Sequence, residues 1–414
     1  MIATALTWMS FLASACEGGP ARAPSPELPR ILPLRERALL QDRWLADRLN
    51  TVAPMLMRRE GIDCWVIVAR EYNEDPVVET MLPATWLAAR RRTVLVFHDA
   101  RKSPDADPEL KRYAVARYAI GDLFPGAWNK EEQPDQWRRL AELLGELAPR
   151  RIALNVSPDF ALADGLSHSE HQSLLDALAP EQRQRIVSAQ NLAIGWLETR
   201  TALELERYPE ICKIAHVIIA EGFAAVKPGQ TTTADLEWWY RERIADLRLD
   251  TWFHPSALVQ RHEDSLHSGS FASHPEDEVI QHGDLVHIDF GITYLGLNTD
   301  TQQHAYVLRP GEEDAPQGLR KGMTIGNRLQ DILMENFIEG RTGNQILGAA
   351  IDAARKEGIE PTIYTHPLGF HGHGAGPTIG LWDQQGGVPG RGDYPLHANT
   401  AYSIELNAAV SIAE

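Results

Sequence analysis

The 414-residue chain is long enough for two domains, each with its own core. Hydrophobic content of 43% and charged content of 23% are those of an ordinary globular protein. A formal net charge of −17 argues against a nucleic-acid partner, which needs a basic face.

Residues 2–15 carry no charge and lead into Leu12-Ala13-Ser14-Ala15-Cys16. The pattern reads as an export signal over residues 1–16 rather than a spanning helix, so no transmembrane span is expected. Two endings stay open: Cys16 as the lipidated cysteine of a membrane-anchored lipoprotein, or Ala13-Ser14-Ala15 as an ordinary cleavage site. Residues 17–35, with Gly18, Gly19, Pro20, Pro24, Pro26 and Pro29, read as a flexible tether. An exported, periplasmic or membrane-anchored protein is the expectation. Only Cys64 and Cys212 follow Cys16, too few for a disulfide scaffold, and both sit in apolar surroundings that predict buried, inert thiols.

From 36 to 195, strand patterns alternate with helical ones. Strands are predicted at 64–69, 93–97 and 152–156, and helices at 36–60, 135–147 and 167–178. This alternation predicts an α/β domain. No nucleotide fingerprint or ligand cluster interrupts it, so its expected work is packing and oligomer contacts, a homodimer being the expected assembly.

The region from 196 to 414 contains a weak repeat. Gly229-Gln230-Thr231 precedes one amphipathic helix and Gly340-Arg341-Thr342 precedes another, where Thr342 and Gln345 predict a capping box and Gly358 a helix stop. Farther on, Val286-His287-Ile288-Asp289 matches Tyr402-Ser403-Ile404-Glu405 at similar offsets, 58 and 63 residues after the respective threonines. Each half reads as helices followed by antiparallel strands that deliver one carboxylate. Two such halves about a pseudo-two-fold would bring the acids into one cleft.

Asp289 lies within the apolar run Leu285, Val286, Ile288, Phe290, where a lone carboxylate is costly unless paired or bound to a cation. Asp300 follows eleven positions later, Gly372-His373-Gly374-Ala375-Gly376 farther on, and Glu405 stands between Ile404 and Leu406. Two Asp, a His and a Glu make a hard, oxygen-rich ligand set, which favours Mn²⁺, with Zn²⁺, Co²⁺ or Fe²⁺ as alternatives. For the imidazole, His366 and His371 compete with His373, and the residues alone do not choose.

This order of motifs resembles the pita-bread metallopeptidases: aminopeptidase P, prolidase, methionine aminopeptidase and creatinase. The resemblance covers residues 36–414 and implies a creatinase-like amino-terminal α/β domain over 36–195 and an α+β pita-bread domain over 196–414. It implies two divalent metal ions, with Asp289 on one, Asp300 and Glu405 bridging, and His373 on the other. Such a pair generates hydroxide from a shared water near neutral pH and polarises the scissile carbonyl. Ligand groups within ~8 Å of one another are then expected, because two-metal sites hold their ions ~3.5–4 Å apart. His267, in Ser265-Leu266-His267-Ser268-Gly269, is similar to the family's substrate-side histidine, whose proton state near neutrality suits contact with the reacting carbonyl; His254 and His262 are weaker rivals.

The expected activity is hydrolysis of peptide bonds next to proline, of the Xaa-Pro aminopeptidase or dipeptidase type, on a peptide substrate. The repeat also calls for a counterpart of Asp300 after Glu405, a Glu in the family, and residues up to 414 do not supply it; the carboxyl-terminal domain is therefore expected to be truncated and the 414 residues inactive or nearly so. Gly380 stands where many relatives place a second histidine, and Gln302 and Gln303 stand where they often place Thr and Arg. Two other functions remain open: a catalytically degenerate binding protein, which these departures favour, and a creatinase-like C–N hydrolase, which needs no metal and fits the retained acids less well.

Overall fold

The computed structural model describes residues 27–101, 110–261 and 277–412. The chain divides into two compact units, one formed by Leu32–Glu204 with Gly374–Gly376 and the other built on Leu205–His373 and Pro377–Glu414.

The first unit is an α/β domain. In chain order it contains α1 (Leu34–Arg59), β1 (Cys64–Arg70), α2 (Pro76–Glu79), β2 (Arg92–Asp99), β3 (Leu110–Val115), α3 (Gln136–Leu147), β4 (Ile152–Leu154), α4 (His168–Ala177), α5 (Pro180–Arg183), β5 (Ile186–Ser188) and α6 (Gln190–Glu198). One mixed sheet, ordered β3-β2-β1-β4-β5, pairs β1 with β2 and β2 with β3 antiparallel, and β1 with β4 and β4 with β5 parallel. Val66, Val68, Val94, Val96, Ile152 and Leu154 bury one of its faces beneath Leu140 and Leu144 of α3 and Leu174 of α4. Cys64 is fully buried in β1 and burial pushes its thiol well above the usual range. The thiol is therefore inert, as its apolar surroundings predict.

A buried polar chain crosses this core. Trp65 Nε1 donates to Asn155 Oδ1 (2.8 Å), Asn155 Nδ2 donates to Asp75 Oδ2 (2.9 Å), and Asp75 Oδ1 accepts from Val77 N (2.8 Å) to cap α2. Gly165 makes room for it, since a Cβ there would lie 2.2 Å from Asp75 Oδ2. Burial raises Asp75 to about 6, against the lowering effect of the hydrogen bonds from Asn155 and Val77.

The second unit carries the repeat. Its first half runs α7 (Ala202–Ala225), α8 (Thr233–Asp246), β6 (Ser256–Gln260), β7 (Leu285–Phe290), β8 (Thr293–Tyr294), β9 (Leu297–Asn298) and β10 (Thr301–Tyr306). The second half runs α9 (Gln317–Glu335), α10 (Gly343–Lys356), β11 (Glu360–Leu368) and β12 (Ala401–Ala409). α10 begins on the predicted Thr342–Gln345 capping box, and α8 on an equivalent Thr232–Asp235 box. Both cap threonines form an isolated β-bridge, Thr232 with Val279 and Thr342 with Pro395. Gly358 ends α10 with a positive φ of 76°. β10-β7-β6 form an antiparallel sheet and β11-β12 an antiparallel pair. Leu329, Ile332, Ile346, Leu347 and Ala350 of the two helices bury Ile363 of β11 and the apolar side of β12, so alternate residues of those strands turn the other way. Among the described residues no helix is long and apolar enough to cross a membrane.

Asp75→Ala removes a cap and the acceptor of Asn155 Nδ2, which should cost ~1–3 kcal/mol at low pH in urea unfolding. A folded value raised above the unfolded 3.8 means that Asp75 stabilises fully below about pH 4 and loses that contribution as pH rises through about 6. The wild-type advantage over the variant should therefore shrink by ~2–3 kcal/mol between those limits. A gap independent of pH would show that Asp75 is folded in its charged form.

Candidate metal centre

β7 and β10 pair so that Gln302 lies opposite Asp289 and Thr301 opposite Phe290, which puts Asp300 at the entrance of β10. The connection between them is the small β8–β9 hairpin, turned at Leu295 and Gly296, both with positive φ (57° and 75°). Gly291 permits its return, because a Cβ there would meet Thr299 O at 2.4 Å. The eleven-residue spacing is the length of this excursion, which returns the second carboxylate to the first.

The second half delivers its acid by strand alternation. Ile404 and Leu406 pack toward α9 and α10, and Glu405 between them is directed into the cluster, 6% exposed, with Tyr364 opposite. His366 Nε2 lies 2.8 Å from Glu405 Oε1 and 3.3 Å from Asp300 Oδ2. One ligand atom from each of Asp300, His366 and Glu405 lies within 4.8 Å of the others. Asp289 borders the same acids: burial first, then the neighbouring Asp300 and Glu405 carboxylates, raise it to about 9. Glu405 is also raised, again by burial first, against the lowering effect of its bond to His366. Burial opposes a charge on His366, but its hydrogen bonds to Asp300 and Glu405 prevail and raise it to about 10.

Asp289 Oδ1 and Asp300 Oδ1 are buried without a hydrogen-bond partner among the described residues. Two such oxygens beside crowded carboxylates and an imidazole fit a hard divalent cation, which would satisfy lone pairs that no donor of the described residues reaches.

Of the predicted ligands the structure brings Asp289, Asp300 and Glu405 together. Of the competing histidines it puts His366 in contact with the acids. His366 Nδ1 lies 3.0 Å from Pro367 O, so it donates there and leaves Nε2 aimed at the carboxylates, the arrangement usual for a metal-binding histidine. His373 is exposed and packs edge-on against His366, ring centroids 4.7 Å apart, with Trp252 at 5.1 Å on another side. Trp252 is held by its Nε1 bond to Thr299 O (3.0 Å) and fills the space above Gly372, where a Cβ would lie 2.1 Å from the indole. A glycine-rich motif alone could not separate His366 from His373, because the difference lies in the path of the turn after β11. His267 and His262 lie outside the described residues. His254 lies on the outer side of α8, beside Glu237 and Trp238.

The departure at Gly380 has a steric cause. Its φ is +73° and a Cβ would lie 2.2 Å from Ile363 O, so the backbone here excludes a histidine.

Residues 206–410 match metallopeptidase family M24. This region of the chain belongs to that family. No curated protein sequence matches the chain. Solved structures of similar fold include the X-Pro aminopeptidase of Thermotoga maritima, at 17% identity over 84% of this chain and 88% of that one, TM-score 0.57. The Xaa-Pro dipeptidase of Bacillus anthracis aligns at 16% identity over 89% and 90%, TM-score 0.52, and dipeptidase PepE of Mycobacterium ulcerans at 20% over 89% and 88%, TM-score 0.53. The fold is that of the pita-bread peptidases behind an amino-terminal α/β domain, and residues 206–410 are a peptidase domain of the M24 family.

Asp289 and His366 each hold protons more tightly when folded, so their stabilisation is lost as pH rises through about 9 and about 10. With a chelator present, the melting temperature should fall as pH climbs from about 5 toward about 9. Added Mn²⁺ should reverse the fall, most strongly at the alkaline end. A chelated melting temperature flat with pH and unmoved by Mn²⁺ would contradict the crowding of these acids.

Proposed function

We propose that this M24 peptidase is a metal-dependent exopeptidase that hydrolyses peptide bonds next to proline, of the Xaa-Pro aminopeptidase or dipeptidase type. The observation that carries the reading is the buried meeting of Asp289, Asp300, His366 and Glu405, four side chains from both halves of the repeat, with carboxylate oxygens left unpartnered among the described residues. The names of the structural neighbours, an X-Pro aminopeptidase and an Xaa-Pro dipeptidase, support the substrate class.

In this reading Asp289, Asp300 and Glu405 hold two divalent ions, Mn²⁺ first and Zn²⁺, Co²⁺ or Fe²⁺ as alternatives. Bound ions of this kind supply an activated water and polarise a carbonyl. The contacts of His366 favour it as the imidazole ligand, whereas the resemblance assigns that place to His373. His373, exposed beside Trp252, is then left on the substrate side. His267 acts on the substrate or transition state rather than on metal. The same proposal includes export through residues 1–16, with Cys16 as a lipid anchor or Ala13-Ser14-Ala15 as the cleavage site, and a homodimer.

The backbone at Gly380 favours a second reading, a binding protein on the same scaffold, since it excludes one histidine that relatives often carry.

Metal analysis beside kinetics on an Xaa-Pro peptide separates these readings. Purified protein should take up Mn²⁺ and lose hydrolysis to a chelator, and Asp289→Ala should abolish both. His366→Ala should lose metal, His373→Ala should retain it, and His267→Ala should retain it while turnover falls ~10²–10⁴-fold. Metal lost in His373→Ala and kept in His366→Ala would restore the assignment by resemblance. Mn²⁺ uptake with no hydrolysis would select the binding protein.

A further inference from the structure

The face of the β7–β10 ladder that bears Asp289 carries three more polar side chains. Gln302 is opposite Asp289 and His304 opposite His287, while Val286, Ile288, Phe290 and Ala305 are buried on the other side. Phe290 packs there on Tyr240 of α8, ring centroids 5.0 Å apart. A polar row on a largely desolvated face must be partnered internally, and Gln302 is its centre. Its Nε2 donates to Glu405 Oε2 (3.1 Å), 103 positions away in the other half of the repeat, and its Oε1 accepts from His287 Nε2 (3.0 Å). Glu405 therefore has one partner on each oxygen, Gln302 on Oε2 and His366 on Oε1.

The amide has a direction: the Glu405 carboxylate accepts and so takes its NH₂ end, and His287 holds its oxygen. An amide oxygen only accepts, so His287 Nε2 must be the donor. Rotated by half a turn, Gln302 would present its oxygen to the Glu405 carboxylate, a repulsive contact, and would force His287 into the tautomer that accepts at Nε2. The His304 ring, 4.8 Å from His287, limits the room in which that imidazole can turn. A neutral donor also aims a carboxylate without cancelling its charge, whereas an arginine or lysine at this position would compete with a bound cation.

We propose that Gln302 is a positioning residue for Glu405, oriented by His287, and that this amide bridge presets the acid of the second half-repeat for cation binding. The proposal rests on the reading of Glu405 as a metal ligand.

The test is Mn²⁺ affinity by calorimetric titration of the full chain, with the metal-free melting temperature as a control for folding. Gln302→Met keeps the length of the side chain and removes both hydrogen bonds; it should weaken Mn²⁺ binding ~10–100-fold. His287→Leu leaves Gln302 in place but undirected, and should weaken binding by a smaller factor. Because the two act in series, the double variant should bind no more weakly than Gln302→Met alone. His287→Leu also serves if Gln302→Met does not fold, and unchanged affinity in it overturns the orienting role. Affinity of Gln302→Met within about threefold of wild type, below the effect typical of such supporting groups, overturns the proposal; if Asp289→Ala meanwhile abolishes binding, the metal reading stands. A wild-type chain that takes up no Mn²⁺ overturns both.

Discussion

Mutual repulsion among Asp289, Asp300 and Glu405 is the constraint on which the second unit depends. Burial first, and then the neighbouring carboxylates, raise Asp289 and Glu405, while hydrogen bonds to Asp300 and Glu405 raise His366 against its own burial. The hydrophobic packing of both half-repeats holds them there. Ile404 and Leu406 are directed toward α9 and α10, and Val286, Ile288 and Phe290 are buried, so the residues between them turn toward one another. The arrangement is costly for a metal-free protein and apt for one that binds a cation.

The two halves are also joined by neutral hydrogen bonds at the edge of the cluster. Asn298, on the small hairpin between the aspartates, donates from its backbone N to Gly369 O (2.8 Å) and from its side chain to Gly369 O and Phe370 O. Tyr208 of α7 donates to Asn298 O (2.7 Å), tying that hairpin to the first helix of the half. The excursion that separates Asp289 from Asp300 in sequence thus anchors the turn that follows His366. Gln302 performs the same joining between β10 and β12.

How much could be read in advance differs by element. Helices at 36–60, 135–147 and 167–178 correspond to α1, α3 and α4, and the apolar runs at 64–69, 93–97 and 152–156 to β1, β2 and β4. β3 and β5, which the sequence pattern does not predict, are the two edges of the sheet. β3 carries Lys111, Arg112 and half-buried residues, and β5 has three residues, so neither has the continuous apolar run of an inner strand.

Sequence by itself determined the carboxylates, because burial of a strand is a local pattern and an acid within it is conspicuous at Asp289 and Glu405. It determined the repeat as well, through Thr231 and Thr342 ahead of the two helices and their similar distances to those acids. Only tertiary structure decided which imidazole meets them, since His366 and His373 differ in their position on a turn rather than in local pattern. The same holds for Gln302: as a sequence feature it is a departure from a family pattern, and its contact with Glu405 spans 103 residues. Hydrogen bonds of that kind depend on register between strands from different halves of the fold, and register is fixed by packing that no single segment contains.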